Sequence, residues 1–135
     1  MALQFSTAVR NAILDSIESA AGTSAKLVIY SGALPANCAA ADGGSVLVTF
    51  NLGSDWAAAA SSGSKDFNNT PLSVSASGTG TAGHWRLLDS AGTTCHMQGT
   101  LTATGGGGDM TIDNTSIASG QTVNVTSFTL TAPGA

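Results

Sequence analysis

Residues 6–31, Ser6-Thr-Ala-Val-Arg-Asn-Ala-Ile-Leu-Asp-Ser-Ile-Glu-Ser-Ala-Ala-Gly-Thr-Ser-Ala-Lys-Leu-Val-Ile-Tyr-Ser31, change their apolar period once. Up to Ala21 the residues Val9, Ile13 and Ile17 recur every four positions, with Ala12 and Ala20 beside them. That is the stripe of an amphipathic helix. Ser6 or Thr7 can cap its first turn, Phe5 stands where an apolar side chain packs back onto the helix, and Gly22 can end it. From Lys26 the period drops to two. Leu27 and Ile29 share one face and Val28 and Tyr30 the other, which predicts a strand buried on both sides, with the helix as one cover. The helix is expected over about 6–21.

No second helical stripe follows, and alternation governs the rest of the chain. Residues 45–52 place Val46, Val48, Phe50 and Leu52 on one face. Leu72, Val74 and Ala76 alternate with serines. Strands are expected over 84–89 and 94–102, joined by a turn at 90–92, and then over 110–113 and 122–131. Val123 and Val125 are out of phase with Phe128 and Leu130, so the last strand needs a bulge near Thr126 and Ser127 or burial on both faces. Residues 53–70 are the least regular, a long connection with one helical turn at 56–60. Seven or eight short strands at such spacing predict a mainly β fold, an antiparallel β-sandwich of jelly-roll or Greek-key type with one N-terminal α-helix. One domain is expected over 1–135, with the sandwich over about 25–132.

Composition narrows the function classes. Ala, Gly, Ser and Thr make up 73 of 135 residues, and charged residues only 9%, against about 25% in ordinary soluble domains. Four basic residues, Arg10, Lys26, Lys65 and Arg86, and a net charge of −4 cannot neutralise a run of phosphates, so no nucleic-acid partner is expected. No apolar run approaches the ~20 residues that span a bilayer, and the opening residues lack the basic and apolar regions of a signal peptide. Neither membrane nor export is expected. Cys38 and Cys95 form no CxxC motif; two free thiols are the simpler reading, a mutual disulfide the other.

Catalytic and metal motifs are not legible. Cys95 and His96 are adjacent, so in a strand they face opposite ways. His84 and His96 lack a third ligand. There is no GxSxG elbow. The run Gly105 to Gly108 lacks the Lys-Ser/Thr ending of a phosphate loop and leads into Asp109, so it reads as a hairpin tip. Asp109 and Asp113 flank a short strand without forming a glycosidase pair. Neither catalysis, nor a cofactor, nor a metal is expected.

Four segments carry a resemblance. The opening Ala2-Leu-Gln-Phe-Ser-Thr-Ala-Val-Arg-Asn-Ala-Ile-Leu-Asp, the segment Leu34-Pro-Ala-Asn-Cys-Ala-Ala-Ala-Asp, the pair Thr81-Ala-Gly-His-Trp-Arg and Asp89-Ser-Ala-Gly-Thr-Thr-Cys-His, and the ending Ile117-Ala-Ser-Gly-Gln-Thr-Val resemble small virion proteins of tailed bacteriophages. Among these are head-decoration, or cement, proteins with a jelly roll. The resemblance implies a structural protein made in the host bacterial cytoplasm that binds the outer surface of the assembled capsid. Its partners would be the major capsid protein and a second copy of itself, as a homodimer or a trimer. A tail or fibre-associated role is the alternative within the virion. A carbohydrate-binding module, with Trp56, Trp85 and Tyr30 as stacking platforms, is the alternative outside it. In the irregular middle, Trp56 and Phe67 are the candidate interface residues, either as exposed anchors or as core plugs beneath the loop.

Overall fold

A computed structural model describes residues 3–67 and 72–135. Helix α1 (Thr7–Ala21) begins at Ser6, whose hydroxyl accepts from Val9 N–H at 3.2 Å. It ends at Gly22, where φ is +80° and the N–H bonds the Glu18 carbonyl. Phe5 N–H reaches the Gly134 carbonyl at 2.7 Å and its ring lies beside Gly134, tying the residues before the helix to the C-terminal segment.

Ten strands follow: β1 (Lys26–Ser31), β2 (Val46–Asn51), β3 (Ser64–Asp66), β4 (Leu72–Ser75), β5 (Gly80–Leu88), β6 (Cys95–Ala103), β7 (Met110–Ile112), β8 (Ser116–Ile117), β9 (Thr122–Ser127) and β10 (Thr129–Thr131). The large sheet has the order β2-β1-β5-β6-β7-β9-β4, and β8 pairs with the start of β5. It curls until its edges nearly meet, since the N–H groups of Ser77 and Gly78, just after β4, bond the Leu47 carbonyl of β2. A second sheet, β10-β3, lies apart. The architecture is mainly β, sandwich-like to nearly closed barrel, with one N-terminal helix.

The core follows the alternation. Leu27, Ile29, Trp85, Leu87, Leu101, Met110, Ile112, Val123 and Val125 fill the inside of the curled sheet. Each strand places every second side chain inward. Where a strand carries a bulge the alternation fails, and the sequence reading fails with it. In β2 the expected inward residue Val46 is 45% exposed, while Leu47 is fully buried. The register shift between Ile29 and Tyr30 pairs Tyr30 with Val46 and skips Leu47, which turns that side chain inward.

Three further expectations are corrected. Residues 56–60 form no helical turn: Ala57 bridges Phe67 and Ser61 bridges Ser64, so 57–67 is a distorted hairpin whose turn uses Ser62 and Gly63 at positive φ. The run Gly105 to Gly108 is no hairpin tip. It returns the chain so that β7 lies parallel to β6, with Leu101 beside Met110 and Ala103 beside Ile112. The loop is held there by Gly106 N–H on the Ala103 carbonyl and Gly108 N–H on the Thr102 hydroxyl. The expected long last strand divides. Thr126 is skipped between the pairs Thr111–Ser127 and Ile112–Val125, and after Phe128 the chain leaves the large sheet to pair with β3. That crossing lets both Val125 and Phe128 be buried.

β1 is buried on both sides as expected, but its outer cover is not the helix. Val28 and Tyr30 pack with Leu88 and Cys95 in a small second cluster, and residues 32–45 close over it. The Arg86 guanidinium, almost wholly buried, holds that loop. It donates to the carbonyls of Asn37 and Ala40 at 3.0 Å each and to Asp42 Oδ1 at 2.5 Å, while its Nε reaches Gln98 Oε1. An arginine placed in a strand among apolar neighbours is tolerable only because all three nitrogens find acceptors.

Candidate functional site

The helix decides which surface is left for a partner. Its buried residues are Leu14 and Ala21, with Ile17 partly buried against the core. Val9 and Ile13, expected inside, are 44% and 36% exposed. The reason lies on the other flank of α1, where polar side chains are drawn onto the 57–67 hairpin and the C-terminal segment. Arg10 donates twice to the Ala132 carbonyl. Asn11 Oδ1 accepts from Gly63 N–H at 2.9 Å, and Asp15 Oδ1 from Ala60 N–H at 2.9 Å. These anchors rotate the helix about its axis and lift Val9 and Ile13, four residues apart and therefore on one face, out of the core.

That lifted face borders a groove of about 470 Å³ between α1 and the strands β6 and β10, lined by Ile13, Ile17, Met97, Leu130 and Pro133 among others. Leu3, in the segment leading into the helix, is 63% exposed. Scattered exposed apolar residues are ordinary in a folded protein. The i,i+4 pair Val9 and Ile13 borders a groove of mixed lining, in which Gln98, Asp109, Thr129 and Thr131 stand among the apolar residues.

Beneath the opposite flank the buried Lys65 ammonium meets two partly exposed carboxylates. Lys65 Nζ contacts Asp15 Oδ1 at 2.8 Å, Glu18 Oε2 at 3.0 Å and the Ala58 carbonyl at 2.8 Å. The hydrogen bonds from Lys65 and Ala60 hold the Asp15 carboxyl below its ordinary 3.8. Burial works to lower Lys65, but its bonds to Asp15 and Glu18 prevail and hold the ammonium above its ordinary 10.5. Burial likewise pushes Tyr30 and Cys95 up to about 12. The lowered carboxyl contributes stability that is lost as pH falls through its folded value, and the raised groups contribute stability lost as pH rises beyond their unfolded values. The melting temperature is therefore expected to be flat between about pH 5 and 9, falling below about pH 4 and, with Cys95 first, above about pH 9. Asp15→Asn should flatten part of the acid limb; an unchanged limb in calorimetry across pH would show that the cluster contributes nothing.

The candidate interface residues are placed in the core. Trp56 and Phe67 are 3% and 4% exposed. Their rings lie 5.1 Å apart, Phe67 stacks on Phe128 at 4.3 Å, and Phe128 meets the edge of Trp85 at 4.7 Å. Trp56 Nε1–H donates to the Gly22 carbonyl at 2.9 Å. Neither is an exposed anchor, because the 57–67 hairpin folds over them. Trp85 and Tyr30 are buried too, at 2% and 3%, so none of the three rings proposed as sugar platforms offers a face to solvent.

The remaining candidates are separated or already engaged. His84 pairs with Thr100, while His96 falls in the irregularity between the pairs Leu87–Met97 and Leu88–Cys95, so the two imidazoles do not converge. His84 stacks on Tyr30 at 5.1 Å with Nδ1 3.1 Å from the Gly32 carbonyl. Asp109 accepts from Thr100 N–H and Oγ1–H of β6, and Asp113 from Asn124 N–H and Nδ2–H of β9. No group of three or more His, Cys, Asp or Glu suited to a metal ion occurs among the described residues. No helix among them is long and apolar enough to cross a membrane. Comparisons with protein-family models, curated proteins and solved structures return no match.

Sequence reasoning missed Lys65 and Arg86 as buried structural cations. For Arg86 the signal was a lone basic residue inside the apolar run Trp85–Leu88, a position that points into a layer rather than to water; Lys65, between Ser64 and Asp66, carried no such signal.

Proposed function

We propose that this chain is a structural virion protein of a tailed bacteriophage that binds the outside of the assembled capsid and stabilises it, contacting the major capsid protein through the Val9–Ile13 face of α1 and self-associating as a homodimer or trimer. The observation that carries the reading is that apolar helix face, left uncovered beside its groove in a chain with few charges. The resemblance of the opening, Leu34, Thr81 and Ile117 segments to phage virion proteins supplies the partner. A protein that binds only the assembled shell stabilises it by RT ln(1 + [L]/Kd), ~2.7 kcal/mol per site at a hundredfold excess over Kd.

Capsids lacking the protein should rupture at lower temperature and recover when purified protein is added back. The double substitution Val9→Ser with Ile13→Ser should weaken capsid affinity about tenfold, the loss of roughly 1.4 kcal/mol of contact, while the melting temperature of the free protein stays within about 2 °C. Sedimentation of particles with bound protein measures the first and calorimetry the second. Binding to purified tails in place of capsids would transfer the role to the tail; binding to neither would end the proposal.

A further inference from the structure

Outside that face, two nucleophilic side chains are brought together that nothing in the proposed role uses. Cys38 lies in the loop 32–45 and Cys95 opens β6. They are 57 positions apart in sequence, yet their Sγ atoms are 2.8 Å apart, and both residues are half-buried thiols. A disulfide bond is ~2.05 Å, so an approach of about 0.8 Å completes it.

The approach is built into the loop. Asn37 Oδ1 accepts from the N–H groups of Ala39 and Ala40, an Asx turn around Cys38. The carbonyls on either side of that turn, Asn37 and Ala40, are held by one Arg86 nitrogen. Gln98 Nε2–H holds the Pro35 carbonyl at 2.8 Å. On the strand side, the irregularity opposite Leu88 turns Cys95 toward the loop. Cys38 is thus placed by polar contacts of its neighbours in the loop and Cys95 by its register in the sheet, independently of any bond between them.

We propose that Cys38 and Cys95 form a redox site: a small disulfide oxidant of the glutathione type converts them to an intramolecular disulfide that staples loop 32–45 to β6. Cys38 lies among exposed loop residues, whereas Cys95 belongs to a strand of the sheet, so the first attack falls to Cys38. Its thiolate displaces one thiol from the oxidant and forms a mixed disulfide. Cys95 then yields its proton to solvent, and its sulfur attacks Cys38 Sγ and releases the second thiol. Two protein thiols lose two electrons and two protons; the oxidant is reduced to two thiols. The cross-link removes freedom from the unfolded chain, so oxidation adds a covalent tie to a loop that Arg86 and Gln98 already hold in the thiol form. This inference does not depend on the virion role.

The test uses the full chain with excess glutathione disulfide at about pH 8, followed by alkylation and intact mass under denaturing, non-reducing conditions. The expected result is loss of both alkylation tags with a mass lower by two hydrogens, and a melting temperature higher by about 10 °C, both reversed by dithiothreitol. Cys38→Ser and Cys95→Ser should each show no such gain; the loop variant Cys38→Ser serves alone where the strand variant does not fold. Retained tags, a lasting glutathione adduct on the wild type, or disulfide-linked dimers would overturn the site. A mutual bond without a rise in melting temperature would overturn the staple.

Discussion

Phe67→Ala should destabilise the free protein by about 3–5 kcal/mol, the cost of truncating a large buried aromatic, and lower its melting temperature by roughly 10 °C or more. Phe67 sits between Trp56 and Phe128, and Phe128 in turn meets Trp85. Its removal leaves a void whose walls belong to the 57–67 hairpin, the crossing strand and the large sheet, three parts that cannot collapse together without breaking β10-β3 pairing. Trp56→Ala should cost a similar amount, since it also leaves the Gly22 carbonyl without its indole partner. Denaturant melts of the purified chain measure both. A wild-type melting temperature in either variant, together with lost capsid binding, would return these rings to the surface role that their loop position suggests from sequence.

Gly83→Ala should be nearly as damaging, by about 3 kcal/mol, although it adds only one methyl group. The register between β1 and β5 passes from Tyr30–His84 to Ser31–Ala82, leaving Gly83 as the extra residue of a bulge. A Cβ there would stand 2.0 Å from the Gly32 carbonyl oxygen and 2.9 Å from its carbon. Both are backbone atoms, and no rotamer change can clear them. Relief requires the loop 32–45 to lift, which would also break the His84 contact with Gly32. Gly53→Ala is the control, because a Cβ at that position meets nothing within 4 Å. Equal stability of the two variants would show that the bulge is loose in solution. The expected signature of Gly83→Ala includes faster amide exchange across 32–45.

The two variants mark the limit of what patterning conveys. The alternation of 122–131 required either a bulge or double burial, and both occur, with Thr126 skipped and the strand crossing from one sheet to the other. Nothing local told that β3 exists, because Ser64, Lys65 and Asp66 have no apolar alternation; they are a strand because β10 lies beside them. The stripe on α1 was legible as a helix but misread in rotation. Hydrophobic spacing predicts a face, whereas the angle at which the face docks depends on Arg10, Asn11 and Asp15 reaching acceptors and donors some 45 to 122 residues away. The same limit applies at the candidate site. Trp56 and Phe67, open from the sequence to a role as anchors or as core plugs, are core, and Val9 and Ile13 looked buried because their helix is amphipathic.

What the amino-acid order determined by itself is the local grammar: one capped helix ending at Gly22, strands wherever β-branched and aromatic residues alternate, and the turn at 90–92. These follow from backbone sterics and from burial of every second or every fourth side chain, interactions that reach only a few residues. The tertiary structure alone decided that β6 and β7 run parallel, that the outer face of β1 is roofed by a loop held by Arg86, that Cys38 meets Cys95, and which flank of α1 remains open. Each depends on a contact between segments distant in the chain, where the buried polar groups must find partners and the geometry of one bulge sets the facing of the next side chain. A periodicity carries no record of either.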